Sequence, residues 1–232
     1  LVQNQNSFSY SLRLTSGATI EYEYKNVTGG KNPARASAVI AGIDPDQEKR
    51  VTNLGSRIIA GSFLEEGNSN TVVLGSSLVD GYTSGRQGTD ATLGHVSVGE
   101  KVRVRLPNNN MYEFTVVGIL NSKSSVVDQR AYVNEKILRQ LLGSQGRDYS
   151  EMAINVRDST TASSLIKKLQ DLPMGNRNDI KSSSAAVPSA VNDLKKAFGM
   201  IGNIVSATAL LVGIVTVFVI IFVNASSRRR YL

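Results

Sequence analysis

The chain has 232 residues, with 26 Lys and Arg against 19 Asp and Glu, a formal charge of +7, one His, no Cys and no Trp. Without Cys there are no disulfides, thiolate zinc sites or Cys nucleophiles, and one His leaves little for a His-based metal cluster. The length suits one large domain or two small ones. The 41% of hydrophobic residues is an ordinary soluble average, but those residues are pooled rather than spread.

In chain order, Ser7–Leu14 and Ala18–Val27 alternate with a period of two, Ile20, Tyr22 and Tyr24 on one face and Glu21, Glu23 and Lys25 on the other. This predicts two half-buried strands with Thr15-Ser16-Gly17 as a hairpin turn. Gly29–Pro33 is predicted as a loop, and Ala36–Ile43 as a strand ending at Asp44-Pro45. Asp44, Asp46 and Glu48 lack the Gly turn and distal Glu of a calcium loop, so they are read as a solvated turn. Glu65–Asn70 is a polar turn before the short strand Thr71–Leu74, the Gly/Ser/Thr-rich Gly81–Gly94 is predicted as an exposed loop, and His95 just after it is read as a surface imidazole.

Lys101–Leu106 and Tyr112–Leu120 are the clearest strands, joined by the hairpin signal Pro107-Asn108-Asn109-Asn110. Ala131–Val133 leads into an amphipathic helix through Ile137, Leu138, Leu141 and Leu142, and Met152–Val156 is a further strand. Asp158 or Ser159 caps a helix carrying Ala162, Leu165, Ile166, Leu169 and Leu172, ended by Pro173 and Gly175. On this helix Ser164 and Lys167 have a Ser-x-x-Lys spacing, but Lys167 and Lys168 fall on its outward face, so no catalysis is assigned. The pattern is an α+β domain with at least two strand–helix units and a β-rich insert at about 65–130.

Pro188 suits a helix first turn. From there Val187, Val191, Leu194, Phe198 and Ile201 recur at steps of 4, 3, 4 and 3. Such a stripe calls for a covering partner, either a second helix or the outer domain itself. It runs without a break signal into 31 uncharged residues, Ala197–Ser227, in which Ile204–Val223 holds 16 apolar residues of 20. About 20 helical residues cross a hydrocarbon core of about 30 Å, and each buried apolar side chain contributes about 1.5–3 kcal/mol. One helix from Pro188 to Ser227 is expected, about half of it standing above the membrane as a stalk. Gly202, Ser206, Ala209 and Gly213 repeat at 4, 3 and 4 along it. That small-residue ridge suits close packing of another membrane helix, although small residues are also common in membrane helices generally.

Arg228, Arg229 and Arg230 follow the span directly. The positive-inside rule makes this end cytoplasmic and residues 1–196 extracytoplasmic. Setting the three aside lowers the balance from +7 to +4, too weak and dispersed for nucleic-acid binding. Asn26-Val27-Thr28 is an N-glycosylation acceptor triplet on the outer side. No phosphate-binding loop, metal cluster or catalytic constellation is present in the sequence, so no cofactor is assigned to this chain.

Val39-Ile40-Ala41-Gly42-Ile43-Asp44-Pro45 is followed in order by Ile58-Ile59-Ala60-Gly61-Ser62-Phe63-Leu64, Val72-Val73-Leu74-Gly75, Val98-Gly99-Glu100-Lys101-Val102 and Phe114-Thr115-Val116-Val117-Gly118-Ile119-Leu120. This series, with the membrane helix and basic tail after it, resembles the extracytoplasmic core domain of MacB/FtsX-type ABC transporter permeases over roughly residues 35–230. The glycines within it are read as positions of positive φ or close backbone approach. The resemblance implies residues 1–184 as the core domain, 185–203 as stalk, 204–227 as transmembrane helix and 228–232 as the start of a cytoplasmic segment. It further implies a separate ABC ATPase holding ATP and Mg, a second permease copy, and coupling of motion rather than chemistry. The family's cytoplasmic Glu-Arg-x-Arg-Glu-Ile-Gly pattern is matched only at Arg228 and Arg230, with Ser227 and Tyr231 in place of the two Glu. Such permeases carry four membrane helices, so a segment of a longer permease is expected. The other reading is a single-pass, surface-anchored binding, sensor or envelope protein.

Overall fold

A computed structural model of the protein describes residues 8–25, 32–82, 91–144, 146, 148–156, 159–172, 179–180, 182 and 189–228. The elements are β1 (Phe8–Tyr22), β2 (Ala34–Ile43), α1 (Pro45–Val51), β3 (Ile58–Gly61), β4 (Thr71–Gly75), β5 (Lys101–Arg105), β6 (Met111–Leu120), α2 (Ser125–Asp128), β7 (Arg130–Asn134), α3 (Glu135–Leu142), β8 (Glu151–Val156), α4 (Ser159–Gln170) and α5 (Ser189–Arg228). The chain divides into two compact units, Leu1–Ser163 and Ser164–Leu232.

In the first unit six strands close on themselves. β2 pairs with β7, β7 with β4, β4 with β6, β6 with β5, β5 with β1, and β1 again with β2. The β2–β7 and β4–β6 pairs are parallel and the others antiparallel. Closing the ring leaves these strands without a bare edge to manage. β8 extends the sheet from the first half of β1, and β3 from the last part of β6.

The alternation of each strand sends one set of residues inward. Ile20, Ile40, Val72, Leu74, Val102, Val104, Phe114, Val116, Ala131 and Val133, drawn from all six ring strands, form one buried cluster with Leu138 of α3. The intervening residues Ala41, Val73, Leu120 and Tyr132 meet Leu54, Phe63 and Leu64 in a second cluster on the other face. β4 and β7 are therefore buried on both faces, which is why their sequences are apolar almost throughout.

The expected hairpin at Thr15-Ser16-Gly17 does not form. β1 runs straight through it, because β2 pairs with β1 from Arg13 to Tyr22 and sets Gly17 opposite Val39. A continuous partner strand outweighs the local turn signal of Ser-Gly. Asp44 does not begin a solvated turn either. Its carboxylate accepts from the amides of Asp46 and Gln47 and caps α1, with Pro45 at the first helical position. The end of the Gly81–Gly94 stretch is packed rather than exposed, since Leu93 is fully buried in the first cluster and its amide donates to Leu78 O at 2.9 Å.

The β5–β6 hairpin forms as the pattern predicts, with Asn109 at φ 62 in its turn. So does α3, which is capped by Asn134 and ended by Gly143 at φ 67. Gly61 faces Gly118 where β3 meets β6. A Cβ at Gly118 would stand 2.2 Å from the Ser62 carbonyl oxygen, and Gly61 has φ 75, so the crossing admits only glycine at these two positions.

Residues 65–130 supply β4, β5, β6 and α2, and these strands belong to the same hydrogen-bonded network as β1, β2 and β7. In the second unit, α5 is one unbroken helix of 40 residues. The polar loop Gly29–Pro33 lies outside the described residues except for its last two positions, and Asp158, Pro173, Gly175 and Pro188 lie outside them altogether.

Candidate functional site

The sequence points to α5 as the functional element. Val205–Asn224 within it is long and apolar enough to cross a membrane, at a mean hydropathy of 2.7 and with none of it buried. Gly202, Ser206, Ala209 and Gly213 are exposed along it, and a Cβ at Gly202 or Gly213 would meet nothing within 4 Å. At about 100° per residue the four fall within about 60° of one another, and Val191, Leu194, Phe198 and Ile201 occupy the adjoining sector of the same side. Phe198 is 64% and Ile201 55% exposed. Val187, Arg229, Arg230 and Asn26 lie outside the described residues, and Arg228 is the last residue of the helix.

Inside the span the polar side chain of Thr216 is satisfied locally, its hydroxyl donating to Val212 O at 2.8 Å. This back-bond removes the cost of placing the hydroxyl in hydrocarbon. The rings of Phe218 and Phe222 stack at 6.3 Å, one turn apart.

The first unit contains two charge networks that periodicity does not reveal. In the first, Glu48 of α1 is fully buried. It accepts from Ser11 Oγ at 2.8 Å, from Arg13 Nε at 3.2 Å and from the Thr52 hydroxyl. Arg13 also approaches Glu151 at 3.7 Å, and Arg130 grips Glu151 with two parallel bonds of 2.7 and 2.9 Å. The chain Glu48–Arg13–Glu151–Arg130 thus ties α1, β1, β8 and β7 together. Burial pushes the Glu48 carboxyl upward, and Arg13, Thr52 and Ser11 outweigh it, holding it below the ordinary 4.5.

In the second network, register does the assembly. Glu21 on β1 stands directly opposite Arg35 on β2 and Arg103 on β5, with Arg105 diagonal to it opposite Thr19. Arg103 donates to Glu21 Oε2 through Nε at 2.8 Å and through Nη2, Arg35 Nε lies 2.9 Å from Oε1, and Arg105 Nη2 lies 3.5 Å from it. The Arg103 guanidinium also sits 4.6 Å from the centre of the Tyr24 ring. Burial raises the Glu21 carboxyl, while Arg103 and then Arg35 and Arg105 bring it net below the ordinary value. A signal for this cluster was present in Lys101-Val102-Arg103-Val104-Arg105, whose alternation puts every cation on one face. Only the nonlocal pairing of β5 with β1 and of β1 with β2 reveals the carboxylate between them.

A model of the MacB-like periplasmic core domain family matches residues 5–172, well over half of the chain. The chain belongs to this family. It is accordingly a membrane protein of the MacB/FtsX type of ABC transporter permease, with an extracytoplasmic segment and a transmembrane helix. Among solved structures, it is similar to the periplasmic region of MacB from Actinobacillus actinomycetemcomitans. The identity is 17% and the TM-score 0.40, over 73% of this chain and 69% of that one. No curated protein matches the chain. Permease domains of this family are generally non-catalytic and work with an ABC ATPase in a separate subunit.

Proposed function

We propose that this chain passes motion from a cytoplasmic ABC ATPase to an extracytoplasmic domain, for export or for handling a substrate outside the membrane. The observation that carries the reading is the unbroken helix Ser189–Arg228. Forty residues extend about 60 Å, twice the hydrocarbon thickness of about 30 Å. The last 25 residues of the helix, 204–228, serve the lipid span and its membrane edge, and the first 15, 189–203, serve the stalk. Arg228, Arg229 and Arg230 mark its cytoplasmic end and are the positions where an ATPase subunit would engage it. ATP and Mg belong to that subunit, and no cofactor belongs to this chain.

The ridge Gly202, Ser206, Ala209 and Gly213 serves a second permease copy. Small residues let two backbones approach closely in lipid, where packing rather than hydrophobicity drives association. The absence of Cys makes this easy to test, in the permease assembled with its ATPase. A Gly213→Cys variant is expected to form an intermolecular disulfide whose yield changes with ATP, whereas Val215→Cys, about 200° around the helix, is not. Equal cross-linking at both positions, insensitive to ATP, would overturn the reading.

A further inference from the structure

The geometry points to a phosphate-binding site on the outer face of the β2–β1–β5 sheet, built from Arg35, Arg103, Arg105, Thr19 and Ser37 around Glu21. Three guanidinium groups surround one carboxylate, leaving a local excess of two positive charges. Arg103 gives Glu21 its closest contacts, with Nε and Nη2 both donating to Oε2. Arg35 and Arg105 add cations of like sign beside it, an arrangement that favours a second anion.

Glu21 fixes all three cations in place, because it is itself almost completely buried beneath them. Arg105 is the least satisfied of them. Its contact to Glu21 is 3.5 Å, and its Nε makes no hydrogen bond. Arg35 and Arg105 have side chains 57% and 37% exposed, so a ligand can reach them. The next row of the sheet sets Ser37 opposite Thr19 and Thr19 opposite Arg105. Two hydroxyls therefore flank the cations, with Ser37 exposed and Thr19 half-buried. Several fixed guanidinium forks with adjacent hydroxyl donors suit the tetrahedral oxygens of a phosphoryl group. The carboxylate at the centre keeps the cations apart and oriented when no ligand is bound. The phosphoryl group comes either from a lipid headgroup or from a soluble phosphate.

The test uses the full chain in maltoside micelles, which carry no phosphate, titrated with inorganic phosphate and followed by phosphorus NMR. Saturable binding is expected at constant ionic strength, weakened about tenfold or more by Arg105→Gln and less by Ser37→Ala. Should Arg105→Gln fail to fold, Arg35→Gln at the more exposed position gives the same readout. Adding phosphatidylglycerol at fixed phosphate assigns the source. Displacement of phosphate identifies a lipid headgroup, and retention identifies a soluble phosphate. A response that never saturates and follows chloride equally, or unchanged affinity in both arginine variants, would overturn the site.

Discussion

The ring of strands hides Ile20, Val72, Leu74, Phe114 and Tyr132 from water, whereas α5 leaves Leu210, Phe218 and Phe222 each about two-thirds exposed. The same contrast holds for polar groups. In the outer domain, Glu21 on β1 and Glu48 on α1 are buried and find arginines on neighbouring strands. In the span there is no charge between Ala197 and Ser227, and Thr216 bonds within its own turn. One region supplies its own solvent-free interior, and the other is built for a solvent that is itself apolar. The two regions should therefore fail for opposite reasons.

The largest effect is expected at Glu48. Glu48→Ala leaves Arg13 without its buried partner, a loss of about 3–5 kcal/mol, measurable as the urea midpoint of the outer domain in the full chain. A somewhat smaller effect is expected from Ile214→Asp. An acidic residue mid-span costs about 2.5–3.5 kcal/mol of membrane insertion, read in an insertion assay, while the urea midpoint of the outer domain stays put.

Acid should separate the regions more gently. Glu21, Glu48 and Glu151 all titrate below the ordinary 4.5 in the folded chain. Their contribution is complete above that value and declines as pH falls through the lowered folded values. The outer domain should lose stability below about pH 4.5, with helical content of α5 in micelles unchanged, and circular dichroism with near-ultraviolet signals can follow both. The smallest effect belongs to Lys136→Ala. Its pair with Glu66 spans 3.3 Å between side chains 76% and 66% exposed, so a change within about 0.5 kcal/mol is expected. A larger shift would show that the surface of the domain is more tightly coupled to its core than the ring picture holds.

Local pattern reveals those parts of the fold that local physics decides. The β5–β6 hairpin is legible because strict alternation brackets an Asn-rich turn. α3 is legible because Ile137, Leu138, Leu141 and Leu142 share one face, and α5 because no charge interrupts it. What escapes is nonlocal. Nothing near Gly17 announces that β2 will pair across it, and ring closure depends on partners such as β2 and β7 that are far apart in sequence. α1 is missed because seven mostly charged residues look solvated, although Asp44 before Pro45 is a helix-start signal. Glu48 could be placed inside only once Arg13 was known to lie opposite. The stripe and ridge of α5 are legible as faces, but what covers them is a property of an assembly.

The claim most open to direct test is that α5 acts as a rigid rod. In the permease assembled with its ATPase, Ile201→Pro places a kink between the stripe and the span at a cost of about 3 kcal/mol, and Ile201→Ala serves as the control. With spin labels on the outer domains of two copies, the ATP-driven change in their separation should disappear in Ile201→Pro while ATP hydrolysis continues and Ile201→Ala behaves as the parent. A full-sized distance change in the proline variant would contradict the account.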